Sequence, residues 1–369
     1  MRPLDPARAE RLDCVQANLA VLADHHHGRD THLNLGAALR LRWRVGADGL
    51  PTVEPTLDDQ LADARELLGL AVREDTTLTG AELAAAAESG SPVYAVADAF
   101  ELPWVPYCGH KHMEHSFLLV SGGTVVDAYA NKTQWGPAIP GTWDFPHGAL
   151  AGTTTRALRF DPVPLTAPTA LVEIADADGY LAGYAAHEDR VAAFERLTLE
   201  TWLLARSRAL HAAFRARQDT EPRPEQAAHL DGWAALVEQT YLAYRRVARG
   251  RAEPPGVLSR LGDLLAADQA VFGAAPGAGR DERLRRSVAG LVASVLRVPA
   301  ARLLDGAEFT TLPRFSSFRL VEIVERLESE LGAEIDPVDL VPENLHRVDD
   351  LCQIIRPVPA GVPVAAKGA

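Results

Sequence analysis

Cysteine is scarce: Cys14, Cys108 and Cys352 are the only three in 369 residues. An odd, widely spaced set implies no disulfide framework, so a reducing cytoplasm is the expected setting. Methionine occurs twice, lysine is rare, and aromatic residues make up only 6%. No apolar run reaches the ~20 residues that a membrane-spanning helix needs. Asp5, Arg8, Glu10, Arg11 and Asp13 break the stretch where a signal peptide would carry its apolar core. No basic block stands out. Lys and Arg total 37 against 50 Asp and Glu, a formal net charge of -13. Such a chain repels nucleic-acid phosphate and anionic membrane, so neither is expected as a partner. The hydrophobic fraction of 47% and charged fraction of 24% are ordinary. They exclude a mainly disordered, fibrous or coiled-coil chain and fit a soluble protein of two or three domains.

Three zones separate by pattern. Residues 1–175 mix short apolar runs with Gly, Pro and Asn, with helices expected at Val15–His25, Leu57–Leu68 and Gly80–Ser89. Ser116–Val120 and Thr124–Ala128 flank Ser121-Gly122-Gly123 and read as a β-hairpin. Residues 176–272 are Ala/Leu/Arg-rich and helical in period, over Ala185–Arg217, Gln226–Arg249 and Val257–Phe272. A Glu221-Pro222-Arg223-Pro224 breaker interrupts them, and their apolar face is expected to pack on the first zone. Residues 273–280 read as a flexible Gly/Ala linker and 358–369 as a disordered tail. Between them, 281–357 carry amphipathic helices at Asp281–Leu296, Phe318–Leu331 and Val348–Ile355.

Leu12-Asp13-Cys14-Val15-Gln16-Ala17-Asn18 puts a cysteine just before an apolar helix, where the helix end favours the attacking thiolate. A nucleophilic cysteine also needs a base and a group that orients it. His115 opens the first strand of the hairpin and Asp127 closes the second, so the two can face each other toward its open end. Gln16, Asn18 or the Cys14 backbone N–H could serve an oxyanion. Cys108, His110, His112 and His115 lie close together, but the favoured reading is polar histidines beside a cleft, with no metal. Trp104, Tyr107, Tyr129 and Trp135 are core or cleft wall.

The order Cys, His, Asp is similar to that of papain-like cysteine enzymes. Residues 12–136 more closely resemble the butirosin biosynthesis protein H family. The matching places are Asp-Cys-x-x-x-Asn, His27-Gly28, Leu35-Gly36 and Asp98-Ala99-Phe100-x-Leu102-Pro103-Trp104. The His115 and Asp127 strands and Asn131-x-Thr133-x-x-Gly136 match as well. The resemblance implies an acyltransferase that takes an aminoacyl group from a carrier thioester and passes it to an amine.

Phe309–Leu351, with its flanks, resembles an acyl or peptidyl carrier protein. Ser317, Phe318, Val321, Glu322, Leu327, Glu328, Gly332, Ile335 and Leu340 occupy the places of that family's pattern. The resemblance implies an all-α four-helix bundle with 4′-phosphopantetheine on Ser317. Ser316 stands where the family has Asp, which makes it a competing attachment point. From Leu303 to Asp350 there are twelve acidic and four basic residues, so most of the negative charge gathers here. Glu322, Glu325 and Glu328 would offer an acidic face to basic partners.

The sequence thus reads as an α+β papain-like domain (1–175), a helical accessory region (176–272) and a fused carrier. The expected activity is acyl or aminoacyl transfer through Cys14, His115 and Asp127 in natural-product biosynthesis. Expected partners are a phosphopantetheinyl transferase, an acyl-loading ligase and a small-molecule amine. Two alternatives stand beside it: hydrolysis by the same triad, as a thioesterase or amidase, and non-catalytic presentation of cargo on the carrier.

Overall fold

A computed structural model describes residues 1–88, 90–150, 152–218, 224–273, 278–331, 333–341 and 345–357. The chain divides into two compact units, Met1–Gly273 and Ala274–Ala369. None of the described helices is long and apolar enough to cross a membrane.

In the first unit, α1 (Cys14–His27) begins at an aspartate cap, and Ala17 through Ala23 are all buried. A helix apolar on every side belongs in an interior. It packs through Leu19 and Leu22 on one face of an antiparallel sheet. The strands are β2 (Leu70–Thr79), β3 (Val93–Asp98), β4 (Glu114–Val120), β5 (Thr124–Asp127), β6 (Gly141–Asp144) and β7 (Thr154–Pro162). Their order is β6-β5-β4-β3-β7-β2. Period-2 alternation divides the strands between two layers. Tyr94, Leu118, Val126 and Leu158 face α1. Ala95, Phe117, Leu119, Val125 and Ala157 face the opposite layer with Leu102 and Val105. The hairpin turn uses Gly122 (φ 79°) and Gly123 (φ 69°), left-handed conformations that favour glycine. α2 (Leu57–Leu68) and α3 (Gly80–Ala87) complete the layers, and Ser89 lies outside the described residues.

The helical segment is α4 (Ala177–Ala186), α5 (Arg190–Arg217), α6 (Pro224–Val247) and α7 (Val257–Phe272). Residues 1–175 and this segment belong to one compact unit. Strands β1 (Ala38–Leu41) and β8 (Leu171–Ile174) pair in parallel within residues 1–175. Side-chain bonds cross between the two segments. Buried Glu200 on α5 accepts from Thr52 Oγ1 and the Val53 N–H, both at 2.7 Å, and from Tyr180 Oη at 2.9 Å. α6 begins at Pro224, and the rest of the expected breaker, Glu221 to Arg223, lies outside the described residues. Arg245, Arg246, Arg249 and Arg251 form a basic cluster at its C-terminal end, which corrects the expectation of no basic block.

The second unit has a core of its own, with Val288, Val292, Leu296, Leu303, Phe309, Ile323, Leu327 and Leu351 buried. Its helices are α8 (Ala278–Leu296), α9 (Ala300–Leu304), α10 (Ser317–Leu331) and α11 (Val348–Ile354). α8 already runs through 278–280, so the expected linker 273–280 is too long; 274–277 lie outside the described residues, as do Gly332 and the expected tail, 358–369. The unit is not all-α. Strands β9 (Ala333–Ile335) and β10 (Ile355–Pro357) pair antiparallel, with Ile335 opposite Ile355. β10 follows directly on the end of α11, and pairing satisfies backbone groups that buried Ile335 draws toward the core.

Candidate active site

Cys14 is the first residue of α1. Asp13 Oδ1 accepts from the Gln16 N–H at 2.7 Å, and Gln16 Oε1 accepts from the Asp13 N–H at 3.3 Å, a reciprocal capping box. Burial pushes the Asp13 carboxyl up to about 6, against the lowering effects of the Gln16 N–H and of Arg206. The half-buried Cys14 packs against both hydrophobic layers, so it sits where they meet. Its Sγ lies 3.7 Å from the Glu114 carbonyl oxygen, next to His115.

His115 and Asp127 are buried, 0% and 3% exposed. Continuing the hairpin register sets Asp127 opposite Phe117, a diagonal neighbour of His115 on the same face. His115 Nε2 lies 2.7 Å from Asp127 Oδ2. This leaves Nδ1, which is buried and has no hydrogen-bond partner. Burial alone pulls the imidazole pKa down. The Asp127 charge and hydrogen bond, followed by Cys14, outweigh it and raise the value to about 10. Asp127 is held below the usual carboxylate range: burial opposes this, but the His115 charge and four donors win. Those donors are His115 and Trp104 Nε1 (3.0 Å) on Oδ2, and the Tyr129 N–H (2.9 Å) and Asn18 Nδ2 (3.2 Å) on Oδ1.

The oxyanion expectation for Asn18 needs correction. Asn18 is 0% exposed and its carboxamide is fully engaged. Nδ2 donates to the Ser116 carbonyl at 2.8 Å and to Asp127, and Oδ1 accepts from the Ala128 N–H at 2.9 Å. One turn after Cys14, Asn18 thus ties α1 to the strands carrying His115 and Asp127. Gln16 turns its carboxamide oxygen onto the helix cap, and its Nε2 donor stays a candidate. The Cys14 N–H remains as well, because the first residue of a helix has no intrahelical acceptor for it.

The sequence reading passes over Ser116, Trp104's bond to Asp127, and Trp202. Ser116 Oγ donates to the Cys14 carbonyl at 2.6 Å. Alternation carries the clue: if His115 faces one layer, Ser116 faces α1. Tyr107 and Tyr129 share a hydroxyl contact at 3.2 Å, and Asn131 Nδ2 donates to both. Trp202 on α5 donates to Asn131 Oδ1 at 3.1 Å. The histidine-rich loop disperses: His112 Nδ1 lies 2.6 Å from Asp98, and His110 stacks on Trp135 at 5.6 Å. Among the described residues no three His, Cys, Asp or Glu side chains converge to hold a metal.

In the second unit Ser317 is exposed as the first residue of α10. Ser316 Oγ accepts from the Arg319 N–H at 3.3 Å, so Ser316 is engaged as the helix cap. An exposed hydroxyl at a helix start suits a phosphoryl group, because the free N–H groups and helix dipole favour negative charge. Phe318 (90% exposed) and Val321 (56%) lie beside it.

No family model matches the chain, and no curated protein matches it. The family likeness therefore rests on the motif residues themselves.

Proposed function

We propose that this protein is a cysteine-dependent acyl or aminoacyl transferase of natural-product biosynthesis, with Cys14 as nucleophile, His115 as base and Asp127 as orienting carboxylate. The observation that carries this reading is the buried His115–Asp127 pair, which leaves an unpartnered Nδ1 beside a cysteine at a helix start. Sγ attacks the carbonyl carbon of an acyl thioester as the thiolate, its proton held on Nδ1 of His115. The carbon–sulfur bond of the thioester breaks, and its departing thiol takes the proton from His115. An amine then attacks the acyl-Cys14 carbonyl. The Cys14–acyl bond breaks, and the amine's proton passes to His115 Nδ1, which restores the thiolate beside the charged imidazole. The Cys14 N–H is placed to donate to the oxyanion of each step. Asp127 fixes the imidazole with Nδ1 toward sulfur and stabilises its charged form.

Ser317 would hold 4′-phosphopantetheine, which supplies a thiol on a flexible arm as the acyl carrier. A phosphopantetheinyl transferase and an acyl-loading ligase are the partners this requires. Intact-mass analysis of the full chain with an aminoacyl-pantetheine thioester and a small primary amine tests the reading. An acyl adduct on Cys14 that discharges to amide only when amine is added supports it. Full amide formation by Cys14→Ala overturns it. Free acid formed at the same rate with or without amine makes the protein a thioesterase instead.

A further inference from the structure

We infer that Arg206 of α5 is a positioning residue for the Cys14 site, so that the helical segment builds part of the catalytic frame. This rests on the reading of Cys14 as nucleophile. The Arg206 guanidinium donates to three backbone carbonyls: Leu12, Ala9 at 3.2 Å and Ala130 at 2.6 Å. Ala9 and Leu12 belong to the turn that delivers the chain into the Asp13 cap and Cys14. Ala130 lies three positions beyond Asp127, past the Tyr129 whose N–H holds that carboxylate. One rigid, planar cation therefore spans the segment presenting the nucleophile and the segment anchoring the orienting acid. Lysine, a point charge with a different donor geometry, cannot reproduce that fork.

The side chain is itself fixed. Its guanidinium carbon sits 4.0 Å from the centre of the Trp202 ring and 6.0 Å from that of Tyr129. Trp202 is held by Asn131, and the Tyr129 ring stands edge-on to His115 at 5.4 Å. Because all three acceptors are carbonyls, the positive charge is not spent on a direct ion pair. It acts near the start of α1, where it lowers the Asp13 carboxyl against burial. The charged groups facing Asp13 are Arg206 from α5 and Glu54 from the segment before α2.

The test measures iodoacetamide alkylation of Cys14 in the folded full chain, by peptide mass spectrometry, with Cys108 and Cys352 as internal references. The Asp13 midpoint is followed in parallel by its carboxyl ¹³C shift, assigned with Asp13→Asn. Arg206→Met should slow Cys14 labelling roughly tenfold or more, as loss of reactive geometry does, and move the Asp13 midpoint up from about 6. Arg206→Lys should slow labelling as well while leaving that midpoint near the wild-type value, which separates charge from span. A packing role alone would admit water and move the midpoint down, not up. Labelling by Arg206→Met at the wild-type rate, with an unmoved midpoint, overturns the inference. If Arg206→Met does not fold, Arg206→Ala with added ethylguanidinium decides: recovered labelling supports the inference and no recovery overturns it. If wild-type Cys14 labels no faster than Cys108 and Cys352, the nucleophile reading itself falls, and this inference with it.

Discussion

Asp127→Asn keeps the outline of the buried carboxylate but removes its charge. Both carboxylate oxygens accept from two donors: His115 and Trp104 on one, Asn18 and the Tyr129 N–H on the other. Whichever way the new carboxamide turns, its NH₂ faces two donors, at ~1–3 kcal/mol for each buried group left unsatisfied. The larger effect falls on His115. With the carboxylate present its pKa stands at about 10. Without it, only Cys14 still opposes burial and the value falls well below 10. The wild-type rise from the ordinary 6.5 is more than three pKa units, or ~4–5 kcal/mol between the two protonation states. The linkage has a definite sign. A histidine raised on folding contributes stability that is complete below pH 6.5 and drains away as pH rises toward 10. All six tryptophans lie within residues 1–273, so their fluorescence during urea unfolding reports the first unit. Wild type should lose up to ~4–5 kcal/mol more than Asp127→Asn between pH 6.5 and pH 10. The His115 Cε1 resonance should titrate near 10 in wild type and well below that in the variant. Parallel loss of stability in the two proteins, or an unmoved His115 midpoint, would refute the reasoning.

Three further predictions follow from the same physics. Asn18→Ala leaves the buried Ala128 N–H and Ser116 carbonyl without their partner and should cost ~2–4 kcal/mol, with slower Cys14 alkylation even where the variant is fully folded. Asp268 pairs with Arg208 and sits 2.8 Å from His229 Nε2, all buried. Asp268→Asn should therefore destabilise the first unit by ~3–5 kcal/mol, read from the urea midpoint. On co-expression with a phosphopantetheinyl transferase, Ser317→Ala should remove the pantetheine mass gain. Ser316→Ala should keep it and cost ~1 kcal/mol as a lost helix cap.

Local features were readable from sequence. The buried α1, the Ser121–Gly123 turn and the 57–68 and 257–272 helices announce themselves through period and turn chemistry. The pairing of His115 with Asp127 follows from hairpin geometry, which one short turn settles. Asn18 was misjudged because a carboxamide near a nucleophile looks the same in sequence whether it faces substrate or strand. Arg206, Trp202 and Glu200 were invisible for another reason. Each acts through side-chain bonds to chain far away, and such bonds leave no period. The β9–β10 pair escaped notice because two three-residue segments are too short to show alternation.

Arg206 also sets an order of events in time. At ~5–20 residues per second, the chain from Cys14 to Arg206 takes roughly 10–40 s to synthesise. Throughout that interval the thiol has left, or is leaving, the ribosome without the clamp that joins Leu12 to Ala130. The clamp closes only when α5 arrives, so on the proposed reading the reactivity of Cys14 is completed late. A fragment ending after β8 would present the whole Cys14–His115–Asp127 set and still lack the element that joins its two halves.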